Sequence, residues 1–182
     1  MKILITYYSV TGNTKKIAEA IYETTSTDYE VHLKDMNDIS IKDFTEYDLV
    51  FLGSACHDAD LAHPVLQLFE KTPSTAEFKL AGFVTHASYT LEGGEYEKSM
   101  YEQWAGKCSK SFESFAHDNK IKLLGFFNCM GIPSPAIEKF IHDSIVTEEK
   151  EWDKYIEEIV KHPNETDIEN AKNFAKEILG KC

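Results

Sequence analysis

The chain has 182 residues, enough for one domain with a substantial core. Its 31 acidic residues outweigh 19 basic ones, and the formal net charge of −12 excludes nucleic acid and anionic membrane surfaces as partners. Every basic residue is lysine. Without arginine, functions that need a planar guanidinium fork are excluded, among them Cys-loop phosphatase chemistry and an arginine-clamped NADP site.

Apolar runs and amphipathic stretches alternate along the chain. Ile3-Leu4-Ile5 reads as a short buried strand, and Thr14, Ile17, Ala18 and Ile21 form the face of a helix. Val31-His32-Leu33 alternates and predicts a half-exposed edge strand. Leu49-Val50-Phe51-Leu52 predicts a strand covered on both faces. Val65, Leu66 and Phe69 predict a helix with Pro64 in its first turn. Leu80 to Val84 is a fourth strand. Met100, Trp104, Cys108, Phe112 and Phe115 predict one long helix over 95–117, and Leu123 to Phe127 is a fifth strand. From about residue 134 the pattern is helical. Ser134-Pro135 reads as N-cap and first position, with Ile137, Phe140, Ile141 and Ile145 behind it. Trp152, Tyr155, Ile156 and Ile159 make a second face, and Thr166 to Glu169 reads as a capping box opening the last helix.

Strand–helix alternation implies right-handed crossovers and a parallel sheet. The expected fold is α/β: one domain over 1–182 with a three-layer, doubly wound, five-stranded parallel sheet in the order 2-1-3-4-5. The polar second strand belongs at an edge. No apolar run reaches the length of a membrane span, and the first residues do not resemble an export signal, so the expected location is cytoplasmic. Cys56, Cys108, Cys129 and Cys182 form no Cys-x-x-Cys pair; they read as free thiols in a reducing compartment, and no metal site is expected.

The segment Ser9-Val10-Thr11-Gly12-Asn13-Thr14 joins the first strand to the first helix. By composition alone a capped turn is the simpler reading. By position it lies at the switch in strand order, where open α/β sheets bind ligands. There Gly12 permits close approach, the helix N-terminus offers N–H groups and a favourable dipole, and three hydroxyls add neutral donors. Position favours a phosphate cradle. It is neither a Walker A loop nor a Gly-x-Gly-x-x-Gly fingerprint.

The stretch ILITYYSVTGNTKKIAEAI resembles the phosphate-binding segment of flavodoxins, whose pattern is Thr/Ser-x-Thr-Gly-Asn-Thr. The strand order 2-1-3-4-5 is likewise flavodoxin-like. The resemblance implies non-covalently bound FMN, with its phosphate on Ser9, Val10, Thr11, Gly12, Asn13 and Thr14. It implies a flavin ring between two loops. The loop after the third strand offers Ser54, Ala55, Cys56 and His57; the loop after the fourth offers Thr85, His86, Ala87, Tyr89, Gly93 and Gly94, with Tyr89 as a stacking partner. His63 and His86 are candidates for a proton relay, and Asp58 and Asp60 are expected in solvent. The first loop has neither Trp nor Tyr, and no glycine lies between Ser54 and Leu61 to ease a peptide flip. That departure points toward two-electron behaviour.

Three functions follow. The first is an electron carrier between redox partner proteins, whose basic docking surfaces would attract this acidic chain. The alternative is an FMN-dependent NAD(P)H/quinone-type oxidoreductase, which the long second loop and the Gly93-Gly94 pair favour. The third is a binding module without flavin, against which the intact SVTGNT segment argues.

Overall fold

Ile3, Leu4 and Ile5 point alternately to opposite faces of a strand, yet all three are fully buried. Both faces of their sheet are therefore covered. The computed structural model describes residues 1–72 and 77–182. Its sheet has six strands: β1 (Lys2–Tyr7), β2 (Glu30–Asp35), β3 (Leu49–His57), β4 (Asp60–Leu61), β5 (Lys79–His86) and β6 (Lys122–Met130). All but β4 run parallel, in the order β2-β1-β3-β5-β6. Among the parallel strands this is the expected 2-1-3-4-5. β2 lies at the edge, half-exposed along most of its length, as its polar alternation predicts. The strand absent from the sequence reading is β4, which pairs antiparallel with the far end of β3.

On one face α1 (Asn13–Thr25) and α8 (Glu165–Gly180) bury Ile17, Ile21, Phe174 and Ile178 against Ile3, Ile5, Phe51 and Phe83. On the other, α3 (His63–Glu70) and α5 (Lys107–Asp118) bury Val65 and Phe112 against Leu4, Val50, Leu52 and Leu80. The short α2 (Ile41–Phe44) adds Phe44 to that second layer. The helices α6 (Pro135–Ser144) and α7 (Glu149–Ile159) lie between β6 and α8 in sequence and form a third cluster, with Ile141, Tyr155 and Ile159 packed on Met130, Ala87 and Tyr89. Ser134 caps α6 as expected.

Two local expectations are corrected. The helix expected over 95–117 is two helices, α4 (Glu95–Trp104) and α5, broken at Ala105–Gly106. Tyr101 carbonyl takes both the Ala105 and Gly106 N–H groups, which ends α4. The break re-aims the apolar face: Phe112 and Phe115 stay in the core, while Met100 and Trp104 turn to a pocket. The capping box of α8 also starts two residues earlier than expected. Asn164 accepts from the N–H groups of Thr166 and Asp167, and Asp167 accepts from Asn164 N–H at 2.7 Å. Asparagine outranks threonine as an N-cap, and Pro163 just before it already interrupts the helix.

Candidate cofactor site

The carboxyl ends of β1, β3 and β5 open onto one pocket of about 550 Å³, a size typical of small-molecule sites. The segment after β1 enters it without capping α1. Among the described residues no side-chain oxygen accepts from the first turn of the helix, and the first intrahelical bond is Lys16 N–H to Gly12 carbonyl at 3.0 Å. Gly12 sits at φ +88, which a side chain would strain, and no atom of the described residues crowds the place where a Cβ would stand. Asn13 does not face outward. Its Nδ2 donates to Thr11 Oγ1 at 2.9 Å and to Ile132 carbonyl at 2.8 Å. Gly131 makes that possible, because a Cβ there would stand 2.8 Å from Asn13 Nδ2. With Thr11 Oγ1 accepting from Asn13, its own proton is left to donate. Ser9 Oγ is buried with no hydrogen-bond partner among the described residues. Thr14 is almost fully buried, and its hydroxyl pairs with Thr85 Oγ1 at 2.8 Å, tying α1 to the end of β5.

The loop after β3 is a hairpin. Cys56 pairs with Leu61 and His57 with Asp60, so the connection is the two residues Asp58 and Ala59, both left-handed at φ 50 and φ 65. Such turns suit hairpin twist and normally employ glycine. Ser54 is fully buried outside the pocket lining. Its hydroxyl donates to Ala55 carbonyl at 2.7 Å and accepts from Ala62 N–H at 2.9 Å, bracing the hairpin's base. Asp60 is not solvated as expected. Its carboxylate accepts from Ser111 at 2.6 Å and Leu61 N–H at 2.7 Å, and meets Lys107 Nζ at 2.8 Å. Burial by itself would raise that carboxyl; the bonds from Lys107, Ser111 and Leu61 outweigh it and hold it below the usual range. Ala55, Cys56 and His57 line the pocket. The Cys56 thiol donates to Trp104 carbonyl at 3.2 Å, and the His57 ring meets Tyr8 edge-on at 6.0 Å.

After β5, His86 is buried at 3% exposure. Its Nδ1 accepts from Ser88 N–H at 3.3 Å, which leaves the proton on Nε2 to donate to Asn128 Oδ1 at 3.0 Å. Burial pushes its pKa down and keeps it neutral, against the opposing pull of those bonds. His63 lies on α3, bonded to Gln67 and outside the pocket lining, so the two histidines form no relay. Thr85, Ala87 and Tyr89 line the pocket. Tyr155 donates to Ala87 carbonyl at 2.8 Å, and Tyr89 packs edge-on between Tyr96 and Tyr155. Burial pushes Tyr89 up to about 12, so it stays neutral. Gly93 and Gly94 lie outside the pocket lining. Gly94 N-caps α4, its N–H donating to Glu97.

One whole wall of the pocket is not legible in the sequence. Ile132, Ile137, Phe140, Ile141 and Ile145 from α6 and its approach, with Met100 and Trp104 from α4, line the same pocket. Its only mark in the sequence is an apolar stripe at helical spacing, the same pattern that a core helix shows. Trp104 Nε1 is buried without an acceptor among the described residues, and Trp104 packs edge-on against Phe140 at 6.3 Å. Among the described residues no cluster of His, Cys, Asp and Glu is placed to hold a metal.

The sequence model of the Flavodoxin domain matches residues 4–176. The chain belongs to the flavodoxin family. It is 30% identical to the flavodoxin-like domain-containing protein BilS of Clostridioides difficile, over all of this chain and 98% of that protein. It is 27% identical to an uncharacterised protein of Methanocaldococcus jannaschii, over 98% of this chain and 99% of the other. Oxidised Flavodoxin 2 from Bacillus cereus shares the fold with a TM-score of 0.63 at 20% identity, over the full length of both. As a flavodoxin-family member, the chain is an FMN-type redox protein in general terms. The residues present fit that cofactor: neutral donors, an uncapped helix start and the unpartnered Ser9 hydroxyl suit a phosphate, and the apolar pocket beside them suits a flat ring.

Proposed function

We propose that this flavodoxin binds FMN non-covalently and carries electrons between larger redox proteins in the cytoplasm. The observation that carries the reading is the uncapped, left-handed Gly12 turn opening into a pocket flanked by the β3–β4 hairpin and the loop after β5. FMN, when bound, supplies reversible electron storage. The Ser9 and Thr11 hydroxyls and the N–H groups of the first α1 turn would hold its phosphate without any cation. Ala55, Cys56 and His57 flank one side of the ring site, and Thr85, Ala87 and Tyr89 the other. Braced by Ser54 and Asp60, the hairpin holds its position. The α6 segment gives the pocket an apolar wall, and Trp104 N–H, without an acceptor among the described residues, would be available to a bound ligand. With Asp58 as the only charged residue lining the pocket among those described, the site favours an uncharged ring environment.

The reductase reading keeps one supporting observation, the apolar α6 wall, which gives the pocket room beside the two loops for an organic acceptor. FMN titration of the purified chain, followed by flavin fluorescence, tests the shared premise. NADH oxidation with a quinone decides between the readings: a carrier shows none by itself, and steady turnover without a partner protein overturns the carrier assignment.

A further inference from the structure

The connection between α7 and α8, residues 160–164, reaches the turn after β1 by two routes, although neither His162 nor Pro163 lines the pocket. The first route runs through Ile132. Its N–H donates to His162 carbonyl at 3.2 Å, and its carbonyl accepts from Asn13 Nδ2 at 2.8 Å, the same group that donates to Thr11 Oγ1. The second route is Lys16. Its Nζ donates to Pro163 carbonyl at 2.7 Å, and its N–H closes the first bond of α1 on Gly12. Both routes therefore end on two successive carbonyls.

Those carbonyls are fixed from the other side. The His162 side chain is 11% exposed. Its Nδ1 donates to Asp167 Oδ2 at 2.5 Å, and its Nε2 lies 3.3 Å from Glu158 Oε1. Glu158 stands in the last turn of α7 and Asp167 in the first turn of α8, so the ring clips the two helices together. Among the described residues no lysine lines the pocket. A cradle of neutral donors has no full charge to draw a phosphate in, and depends on how firmly its donors are aimed.

We infer that His162 is a positioning residue for the phosphate-binding turn: clipped to Asp167 and Glu158, it holds the carbonyls that Ile132 and Lys16 reach, and so sets the geometry of Thr11 and Gly12. The inference rests on the FMN reading and gives the helices after β6 a part in binding without contact to the ligand.

The experiment compares the full wild-type chain with His162→Ala, His162→Asn and Lys16→Met, each checked for folding by circular dichroism. All are titrated with FMN and with riboflavin, which lacks the phosphate, by flavin fluorescence. The ratio of FMN to riboflavin affinity is expected to fall about tenfold in His162→Ala and in Lys16→Met, the equivalent of one hydrogen bond of ordinary strength. His162→Asn, whose amide nitrogen can stand where Nδ1 stood, should keep the wild-type ratio. Hydrogen exchange of residues 9–14 in the flavin-free chain should be faster in His162→Ala than in wild type. Loss of FMN and riboflavin affinity by the same factor overturns the inference, because a merely structural defect costs both alike. An unchanged ratio in His162→Ala, or in Lys16→Met should His162→Ala not fold, also overturns it. A wild-type chain that binds neither flavin overturns the FMN reading, and the exchange rates then still decide whether His162 holds the turn.

Discussion

Asn13 and Thr14 are neighbours in the chain and perform opposite tasks. Asn13 holds the turn after β1 to the segment after β6, through Ile132 carbonyl at 2.8 Å. Thr14 turns inward to Thr85 and contributes nothing to the pocket surface. Two hydrogen bonds of ordinary strength, from Asn13 Nδ2 to Thr11 Oγ1 and to Ile132 carbonyl, therefore position this turn. Replacing both residues by alanine should weaken FMN binding about a hundredfold, roughly tenfold per lost bond; isothermal titration measures it, and an unchanged affinity would place the cradle elsewhere. His86 adds a pH dependence. Its folded pKa lies below the ordinary 6.5, so below that value the unfolded chain binds a proton that the folded chain does not. This contribution to stability is complete above about pH 6.5 and is lost as pH falls toward the depressed value. Melting temperature should drop between pH 7.5 and 5.5, and His86→Gln should flatten that drop.

At the scale of elements, the β3–β4 hairpin has a local weakness and a compensating anchor. Ala59 occupies a left-handed conformation that costs an L-residue roughly 1–2 kcal/mol. Ala59→Gly should raise stability by somewhat less than this, about 0.5–1 kcal/mol, because glycine also gains freedom in the unfolded chain; urea denaturation reads it. The anchor is Asp60. Asp60→Asn keeps the Leu61 bond but loses the ion pair with the largely exposed Lys107, and should cost about 1–2 kcal/mol. The carboxylate's pKa is depressed, so its contribution is present above the ordinary 3.8 and disappears as pH falls below it. The break between α4 and α5 works at the same scale. Without it, Met100 and Trp104 would continue the stripe of Phe112 and Phe115 into the core, and the pocket would lose that wall.

For the molecule as a whole, a ligand that binds the pocket of the folded chain stabilises that fold by mass action. FMN at a hundredfold excess over its Kd should add about 2.7 kcal/mol. For a chain of this length that corresponds to a rise in melting temperature of roughly 5–10 °C, measurable by calorimetry; no shift would mean that FMN does not bind the folded state.

The residues that run in one piece were legible without coordinates. The buried strands, the SVTGNT turn and the strand order follow from local apolar periodicity and from the chirality of parallel crossovers, which act between neighbouring segments. What stayed hidden depends on long-range contact. Ser54 and Asp60 look like any loop residues until β4 folds back on β3 and Ser111 and Lys107 arrive from α5. Ile137 and Phe140 look like core residues, because an amphipathic stripe records only that a face is apolar. Whether it meets a sheet, a cofactor or a partner depends on where α6 is laid down. The sequence by itself determined the α/β fold and the turn after β1, since hydrophobic pattern and glycine conformation are local. Only the tertiary structure decided that this turn opens into a pocket walled by α6, because residues from the turn after β1, from β5 and from α6 meet there only after the chain has closed around its core.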